Sequence, residues 1–266
     1  MSNYVPVSQT KHQASGFEKV SNYAHAAADI VVPVVVSEIA KLVPRMPLAF
    51  YKTSEMKGYQ LVALQGLLSG QNLFVTASNQ FISGYVPAIY RGYPFRLFSV
   101  DGKTEQLLCI DEQSPFFHEQ AEADDESIFT PEGEPSDLIL QIRDFLSLIA
   151  RDAQKTQEIV NLLADYEVIR PWHIKLEGLS ETQQPLQDLY HVSEVALREL
   201  PADKIQVLNL RGALPLAYAQ LFSEHRVEDL YTLLTHRAQS TQAEQAVEEV
   251  DLEKIFDQSE EDFLRF

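Results

Sequence analysis

Residues 95–111 read FRLFSVDGKTEQLLCID, and this stretch decides the fold class. Phe95–Val100 and Gln106–Asp111 are apolar, β-prone runs, and Asp101-Gly102 lies between them. Asp-Gly between such runs is a strong hairpin signal, because glycine accepts the positive φ angles of a tight turn. The connection is also too short for the helix that a parallel crossover needs. The stretch therefore predicts two antiparallel strands.

Further strands are predicted on the N-terminal side of this hairpin. Ile30–Val36 is an apolar run that contains Pro33, a combination typical of an edge strand because proline has no N–H to donate. Leu61–Leu64 and Asn72–Val75 lie on either side of Ser69-Gly70-Gln71, which is a turn signal, and they predict a second hairpin.

The apolar periodicity changes to helical spacing after residue 136. Ser136 is an N-cap residue type at the start of a long amphipathic pattern. Shorter helices are predicted after Ser193, after Pro201, and over residues 214–222 and 227–236. Strands followed by helices predict an α+β fold, with an antiparallel sheet in the N-terminal half and helices mainly in the C-terminal half.

The composition also predicts how the chain is divided. We expect a flexible N-terminal segment over residues 1–29, because it is polar and aperiodic. One α+β domain follows over residues 30–237, and an acidic C-terminal tail over residues 238–266 completes the chain. The domain divides into a sheet-rich part (30–112), an acidic connector (113–136) and a helix-rich part (137–237).

The charge excludes one class of partner. Lys and Arg total 21 and Asp and Glu total 39, which gives a net charge of −18. Such a surface repels phosphate, and no run of basic residues counters it, so we expect no nucleic-acid partner. Eight acidic residues fall in Glu119–Asp137, and nine fall in Glu244–Phe266. Both stretches are typical of solvated segments, and docking to a basic partner is the alternative.

Targeting signals and cysteine chemistry are also constrained. The N-terminus lacks the apolar core of a secretory signal, and no run of about 18 apolar residues predicts a membrane span, so we expect a cytoplasmic protein without membrane insertion. Cys109 is the single cysteine, which excludes an intramolecular disulfide. It lies in an apolar run, where a thiol usually packs as a small hydrophobic group.

The segment before the first hairpin is the candidate binding site. Residues 84–95 read GYVPAIYRGYPF, and Pro87 and Gly92 predict a single-turn helix between them. Aromatic rings beside an arginine can hold a peptide carboxylate or an aromatic side chain. The predicted ligand-binding residues are Tyr85, Tyr90, Arg91, Tyr93 and Arg96.

A structural role is the alternative for this segment. In that interpretation the rings belong to the core, and Arg91 or Arg96 pairs with Asp111 or Glu112.

Several stretches resemble the SapC family. They are LQGL at 64–67, GQNLFV at 70–75, GYVPA at 84–88, RGYPF at 91–95, LLCIDE at 107–112, and GALPLAYAQL at 212–221 with Ser223. The resemblance spans residues 30–237 and implies a bacterial protein associated with a surface-layer locus. It implies no catalytic residue. At Gly92 this chain departs from the family, whose members often have a second arginine there.

Catalytic and metal-binding motifs are missing from the sequence. No GxSxG, SxxK, P-loop or GxGxxG pattern occurs. The seven histidines form no HxH, HxxxH or HExxH spacing, so we predict no metal site. The sequence leaves both the cofactor and the catalytic residues unknown. His118 lies near Asp124 and Asp125, which can attract a cation, although such loops usually stay hydrated.

Three functional hypotheses follow. The first is a non-enzymatic accessory factor that binds a peptide or protein partner and is associated with cell-surface proteins. The second is an enzyme whose site is built from dispersed His, Asp and Glu residues, with or without a metal. The third is a subunit of a larger assembly, with an apolar patch on its C-terminal helices. The oligomeric state stays open.

Overall fold

Eleven short strands in three antiparallel sheets account for the strand structure of the described chain. The computed structural model describes residues 3–53, 57–99, 106–174 and 186–239. The strands are β1 (Tyr4–Pro6), β2 (Gly16–Phe17), β3 (Val31–Pro33), β4 (Leu48–Tyr51), β5 (Gln60–Leu64), β6 (Phe95–Ser99), β7 (Gln106–Asp111), β8 (Phe117–His118), β9 (Glu126–Ser127), β10 (Ile169–Pro171) and β11 (Leu189–Val192).

The helices concentrate in the second half, so the α+β prediction is confirmed. They are α1 (Gln9–His12), α2 (Ile39–Leu42), α3 (Ala88–Arg91), α4 (Asp137–Asp165), α5 (Glu194–Arg198), α6 (Ala202–Leu210) and α7 (Ala213–Ser223), and residues 227–239 are also helical. Single 3₁₀ turns span Ala24–Ala26, Val36–Glu38 and Glu224–Arg226.

The largest sheet has five strands in the order β10-β11-β4-β5-β3. β3 lies at its edge and ends at Pro33, as the sequence predicts. Helices α4 and α7 pack against this sheet and close the main core. Ser136 caps α4, because its Oγ accepts the N–H of Ile139 at 3.4 Å. The inner face of α4 then buries Val160 and Leu163 fully.

The hairpin predicted over residues 95–111 is present in the described part of that range. β6 and β7 are antiparallel, with Phe95 opposite Ile110, and β1 pairs with the other edge of β7. The Asp-Gly turn lies outside the described residues. Phe95 and Ile110 are buried in a second core beneath α4.

The second predicted hairpin is wrong. Residues 72–75 form no strand alongside β5, which pairs with β4 and β3 instead. The reason is local, because the Asn72 side chain competes for the backbone. Asn72 Oδ1 accepts the N–H of Phe74 at 2.9 Å, and its Nδ2 donates to the carbonyl of Ala26 at 2.9 Å.

Residues 3–29 differ from the flexible segment that the sequence predicts. β1 pairs with β7, and β2 is the middle strand of the three-stranded sheet β8-β2-β9. Ala26 and Phe17 are buried in the two cores. The sequence pattern did not indicate these strands and the short helix α1, because each element is too short to show a hydrophobic period.

Two polar side chains near the C-terminal end of α7 bind this helix to the main sheet. Gln220 and Ser223 are fully buried. Gln220 accepts the N–H of Val192 at 2.8 Å and donates to the carbonyl of Leu48 at 3.1 Å. Ser223 Oγ accepts the N–H of Leu48 at 2.8 Å. These side chains satisfy buried backbone groups of two neighbouring strands, so their role is structural.

Candidate functional site

A buried carboxylate positions the predicted binding segment. Glu38 is 3% exposed, and its Oε1 accepts the backbone N–H of Ala88, the first residue of α3, at 2.7 Å. The same oxygen accepts the hydroxyl of Tyr85 at 3.0 Å, and Oε2 accepts the N–H of Val35 at 3.2 Å. Glu38 therefore ties α3 and Tyr85 to the end of β3.

Two exposed cations lie over the Tyr85 ring, and a third is hydrogen-bonded to the backbone of one of them. The Lys41 ammonium lies 5.3 Å from the ring centroid, and the Arg91 guanidinium lies 5.4 Å from it. Arg91 Nη2 also donates to the Tyr85 hydroxyl at 3.2 Å. Arg45 Nη1 donates to the backbone carbonyl of Lys41 at 2.7 Å, which holds the Arg45 guanidinium next to the Lys41 backbone. We call Lys41, Arg45, Tyr85 and Arg91 the cationic patch.

The cationic patch brings together three cations that form no ion pair, whereas other such cations of the described chain, for example Arg96 and Lys155, lie elsewhere on the surface. Within the described part of the chain, Lys41, Arg45 and Arg91 belong to none of the ion pairs, although the protein has a net charge of −18. Glu38 lies beneath the patch, but both its oxygens are used by backbone and hydroxyl donors. Three positive charges therefore face solvent.

The Tyr85 phenol stays protonated in this setting. Burial and the Glu38 carboxylate raise the pKa of Tyr85, and Arg91 offsets part of that rise. The hydroxyl donates to Glu38 and accepts from Arg91. The buried carboxylate therefore helps to position the exposed guanidinium through the tyrosine. The Arg91 guanidinium also lies 5.0 Å from the Phe145 ring centroid, on α4. Two aromatic rings therefore hold Arg91 in place.

Tyr90 faces the opposite way and is 4% exposed. Its hydroxyl lies 2.6 Å from Gln65 Oε1 and 3.0 Å from Asp29 Oδ2, whereas Gln65 Nε2 has no partner among the described residues. A phenol carries a single proton and cannot donate to both. Turning the Gln65 amide by 180° lets Nε2 donate to Tyr90, which then donates to Asp29. Tyr90 thus joins a buried structural network.

Tyr93 stacks on His25. The two ring centroids lie 3.9 Å apart with an interplanar angle of 11°. Both ring nitrogens of His25 are buried and have no hydrogen-bond partner in the described chain. Burial, assisted by the charge of Arg96, lowers the pKa of His25 to about 4, so the ring is neutral at pH 7.

Arg96 lies over the ring of Tyr4, with 5.0 Å between its guanidinium and the ring centroid. Burial raises the pKa of Tyr4 to about 12, and Arg96 opposes that rise. The alternative pairing of Arg91 or Arg96 with Asp111 or Glu112 is not among the ion pairs of the described residues. Glu112 pairs with Lys11 and His12, and Asp111 Oδ1 accepts the backbone N–H groups of Asn3 and Gln113.

The five predicted residues therefore fall into two groups. Tyr85 and Arg91 belong to the exposed patch, whereas Tyr90 contacts Asp29 and Tyr93 stacks on His25. Arg96 is exposed on β6, where it lies over Tyr4 and its charge acts on His25. The sequence pattern missed Lys41 and Arg45. Their spacing of four residues was the available signal, because it can place two side chains on one helical face.

Histidine–carboxylate pairs occur at three separate places, which bears on the hypothesis of dispersed catalytic residues. The pairs are His12–Glu112, His118–Asp125 and His191–Glu224. The first lines a cavity of about 280 Å³ with Lys11, Ser15, Phe117 and Glu119. The hypothesis of an enzyme stays a prediction.

Exposed apolar side chains occur on the C-terminal helices, as the assembly hypothesis expects. Val195, Leu210 and Phe222 are 68%, 76% and 65% exposed and lie on α5, α6 and α7. The existence of an assembly stays a prediction.

The comparison with known families identifies the chain. The family model described as SapC matches residues 7–230, and the chain therefore belongs to the SapC family. No curated protein and no solved structure matches it. None of the helices in the described ranges has the length and apolarity that crossing a bilayer requires.

Proposed function

We propose that this member of the SapC family is an accessory factor of cell-surface proteins, and that it binds an acidic segment of a peptide or protein partner at the cationic patch. One observation carries the proposal: two exposed cations, Lys41 and Arg91, lie over one tyrosine ring, and a third, Arg45, is hydrogen-bonded to the backbone of Lys41. None of the three has an ion pair in the described chain, and the protein has a net charge of −18. Unpaired like charges repel one another, so an anionic partner relieves their repulsion.

The geometry suits a carboxylate. Arg91 presents a planar fork that matches two carboxylate oxygens, and its position is set by the Tyr85 hydroxyl and two aromatic rings. A preorganised arginine loses less side-chain entropy when it binds. Lys41 and Arg45 add two further charges beside it, which favours a segment with several acidic residues over a single carboxylate.

Each exposed contact contributes modestly. A solvent-exposed ion pair is worth about 0.2–1 kcal/mol, and a held, bidentate arginine lies at or above the top of that range. Loss of Arg91 is therefore expected to cost about 1.4 kcal/mol, which corresponds to a tenfold weaker affinity. The interaction weakens as salt is added, because the charges are exposed.

The test is fluorescence anisotropy with a labelled peptide of Asp and Glu residues. A peptide of the same length made of Asn and Gln is the matched ligand. We expect the acidic peptide to bind and the amide peptide not to bind, and we expect Arg91→Ala to weaken binding about tenfold. Arg198→Ala is the control, because Arg198 is also exposed but pairs with Glu194 on α5. Equal affinity for both peptides, or equal losses in both variants, would contradict the proposal.

The link to cell-surface proteins is tested separately. Surface proteins with acidic segments, purified from a bacterium that encodes a SapC protein, should bind the wild-type chain and bind the Arg91→Ala variant more weakly. If the acidic peptide binds but these proteins do not, the patch recognises acidic ligands and the cell-surface role is wrong.

A further inference from the structure

A mixed set of metal-ligating side chains lies on the small three-stranded sheet, away from the cationic patch. Glu18, His118 and Asp125 each offer one ligand atom, and these atoms all lie within 4.8 Å of one another. Glu18 lies about a hundred positions before His118 and Asp125 in the sequence. We propose that they form a binding site for a divalent transition-metal ion of the Zn²⁺ class.

The sheet brings these ligands together. β2 lies between β8 and β9, and Gly16 is opposite both His118 and Ser127. Glu18 follows β2 directly, and Asp125 comes just before β9. Side chains two positions apart on a strand, and those of directly opposite residues, lie on the same face of a sheet, so this register places Glu18, His118 and Asp125 on one face.

Gly16 leaves the space that the site occupies. A Cβ atom at this position would lie 3.0 Å from Asp125 Oδ2 and 2.8 Å from Asp125 Cβ. It would also lie 2.8 Å from Cβ of Ala121, so any larger residue pushes away the loop that carries Asp125. Because Gly16 has no side chain, the Asp125 carboxylate can pack directly against the backbone of β2.

The donor chemistry favours a transition metal over a purely oxygen-bound ion. The Asp125 side chain is 1% exposed, whereas His118 is 24% exposed and accessible from solvent. His118 Nδ1 and Asp125 Oδ2 are already 2.7 Å apart. One imidazole nitrogen with carboxylate oxygens suits Zn²⁺ and its neighbours, whereas Ca²⁺ and Mg²⁺ take oxygen ligands.

The distances need little rearrangement. Zn²⁺ binds these atoms at about 2.0–2.2 Å, so its ligands lie about 3.4 Å apart in a tetrahedral site. The proton shared between His118 and Asp125 is released when the metal takes its place. Glu18 is exposed, so its side chain can move the remaining distance to the ion. Water completes the coordination. The three ligands then link three strands of two residues each.

The test is calorimetric titration of the intact, metal-free protein with Zn²⁺, with the visible spectrum of the Co²⁺-loaded protein as a second readout. We expect one ion per chain. Glu18→Gln should weaken binding at least tenfold, and His118→Ala should remove the visible d–d bands of the site-bound Co²⁺ because the site loses its nitrogen ligand. Glu18→Gln keeps the fold testable because residue 18 is exposed.

His191→Ala is the matched control. It removes another histidine that is paired with a carboxylate, Glu224, at a place where the described residues offer no third ligand of this kind. Its Zn²⁺ affinity should equal that of the wild type. The proposal is overturned if the wild type binds no Zn²⁺, or if Glu18→Gln and His118→Ala bind it as tightly as the control does.

Discussion

Replacing Tyr90 with phenylalanine separates the structural role of the binding segment from its recognition role. The Tyr90 ring is 4% exposed, and phenylalanine keeps its packing, so the change is confined to the hydroxyl. That hydroxyl is the partner of the fully buried Gln65 amide and of Asp29. Its loss leaves the amide without a partner in the core, which costs about 1–3 kcal/mol.

The cost of Tyr90→Phe is measurable by urea unfolding and by the thermal midpoint. A chain of this size loses about 2–4 °C of Tm for each kcal/mol. Affinity for the acidic peptide should stay at the wild-type value, because the Tyr90 side chain is buried whereas that of Arg91, the next residue of α3, is exposed. Arg91→Ala should show the opposite pattern, with weaker binding and near-normal stability. Wild-type stability in Tyr90→Phe, or a loss of peptide affinity in that variant, would refute this division.

Two further predictions concern stability. The pKa of His25 is about 4 in the folded chain against 6.5 for a free histidine. Between these two pH values His25 is protonated in the unfolded chain and neutral in the folded chain. The free energy of unfolding therefore falls as the pH falls through this window. His25→Phe keeps a ring against Tyr93 and should flatten the dependence of the urea midpoint over that window; an unchanged slope would contradict this. Gly66→Ala places a Cβ 2.0 Å from the carbonyl oxygen of Gln71 and should cost more than about 2 kcal/mol, whereas Gly58→Ala, with its nearest neighbour at 3.9 Å, should melt like the wild type.

Long periodic elements were predictable from the sequence, and the reason is physical. The α4 helix spans Asp137–Asp165 behind its Ser136 cap, because eight turns of apolar spacing outweigh any local competition. The pairing of β6 with β7 was predictable from two apolar runs separated by Asp101-Gly102 and a short connection. The supposed strand at residues 72–75 failed because one buried asparagine side chain decides the local backbone.

The candidate site was only partly predictable. The segment that carries Tyr85 and Arg91 is visible in the sequence as clustered aromatics beside an arginine. Its connection to Lys41 depends on Glu38, a buried carboxylate that joins α3 to a segment some fifty residues earlier. Contacts of this kind arise from tertiary packing, and a single sequence carries no record of them. The grouping of Glu18 with two residues near position 120 is hidden for the same reason.

Chemical-shift mapping with the acidic peptide tests the central claim most directly, because it locates the contact without any substitution. Resonances of Lys41, Arg45, Tyr85 and Arg91 should shift with increasing peptide, and added salt should reverse the shifts. Shifts confined to other surfaces, or the same shifts with the uncharged Asn and Gln peptide, would contradict recognition of acidic segments by the cationic patch.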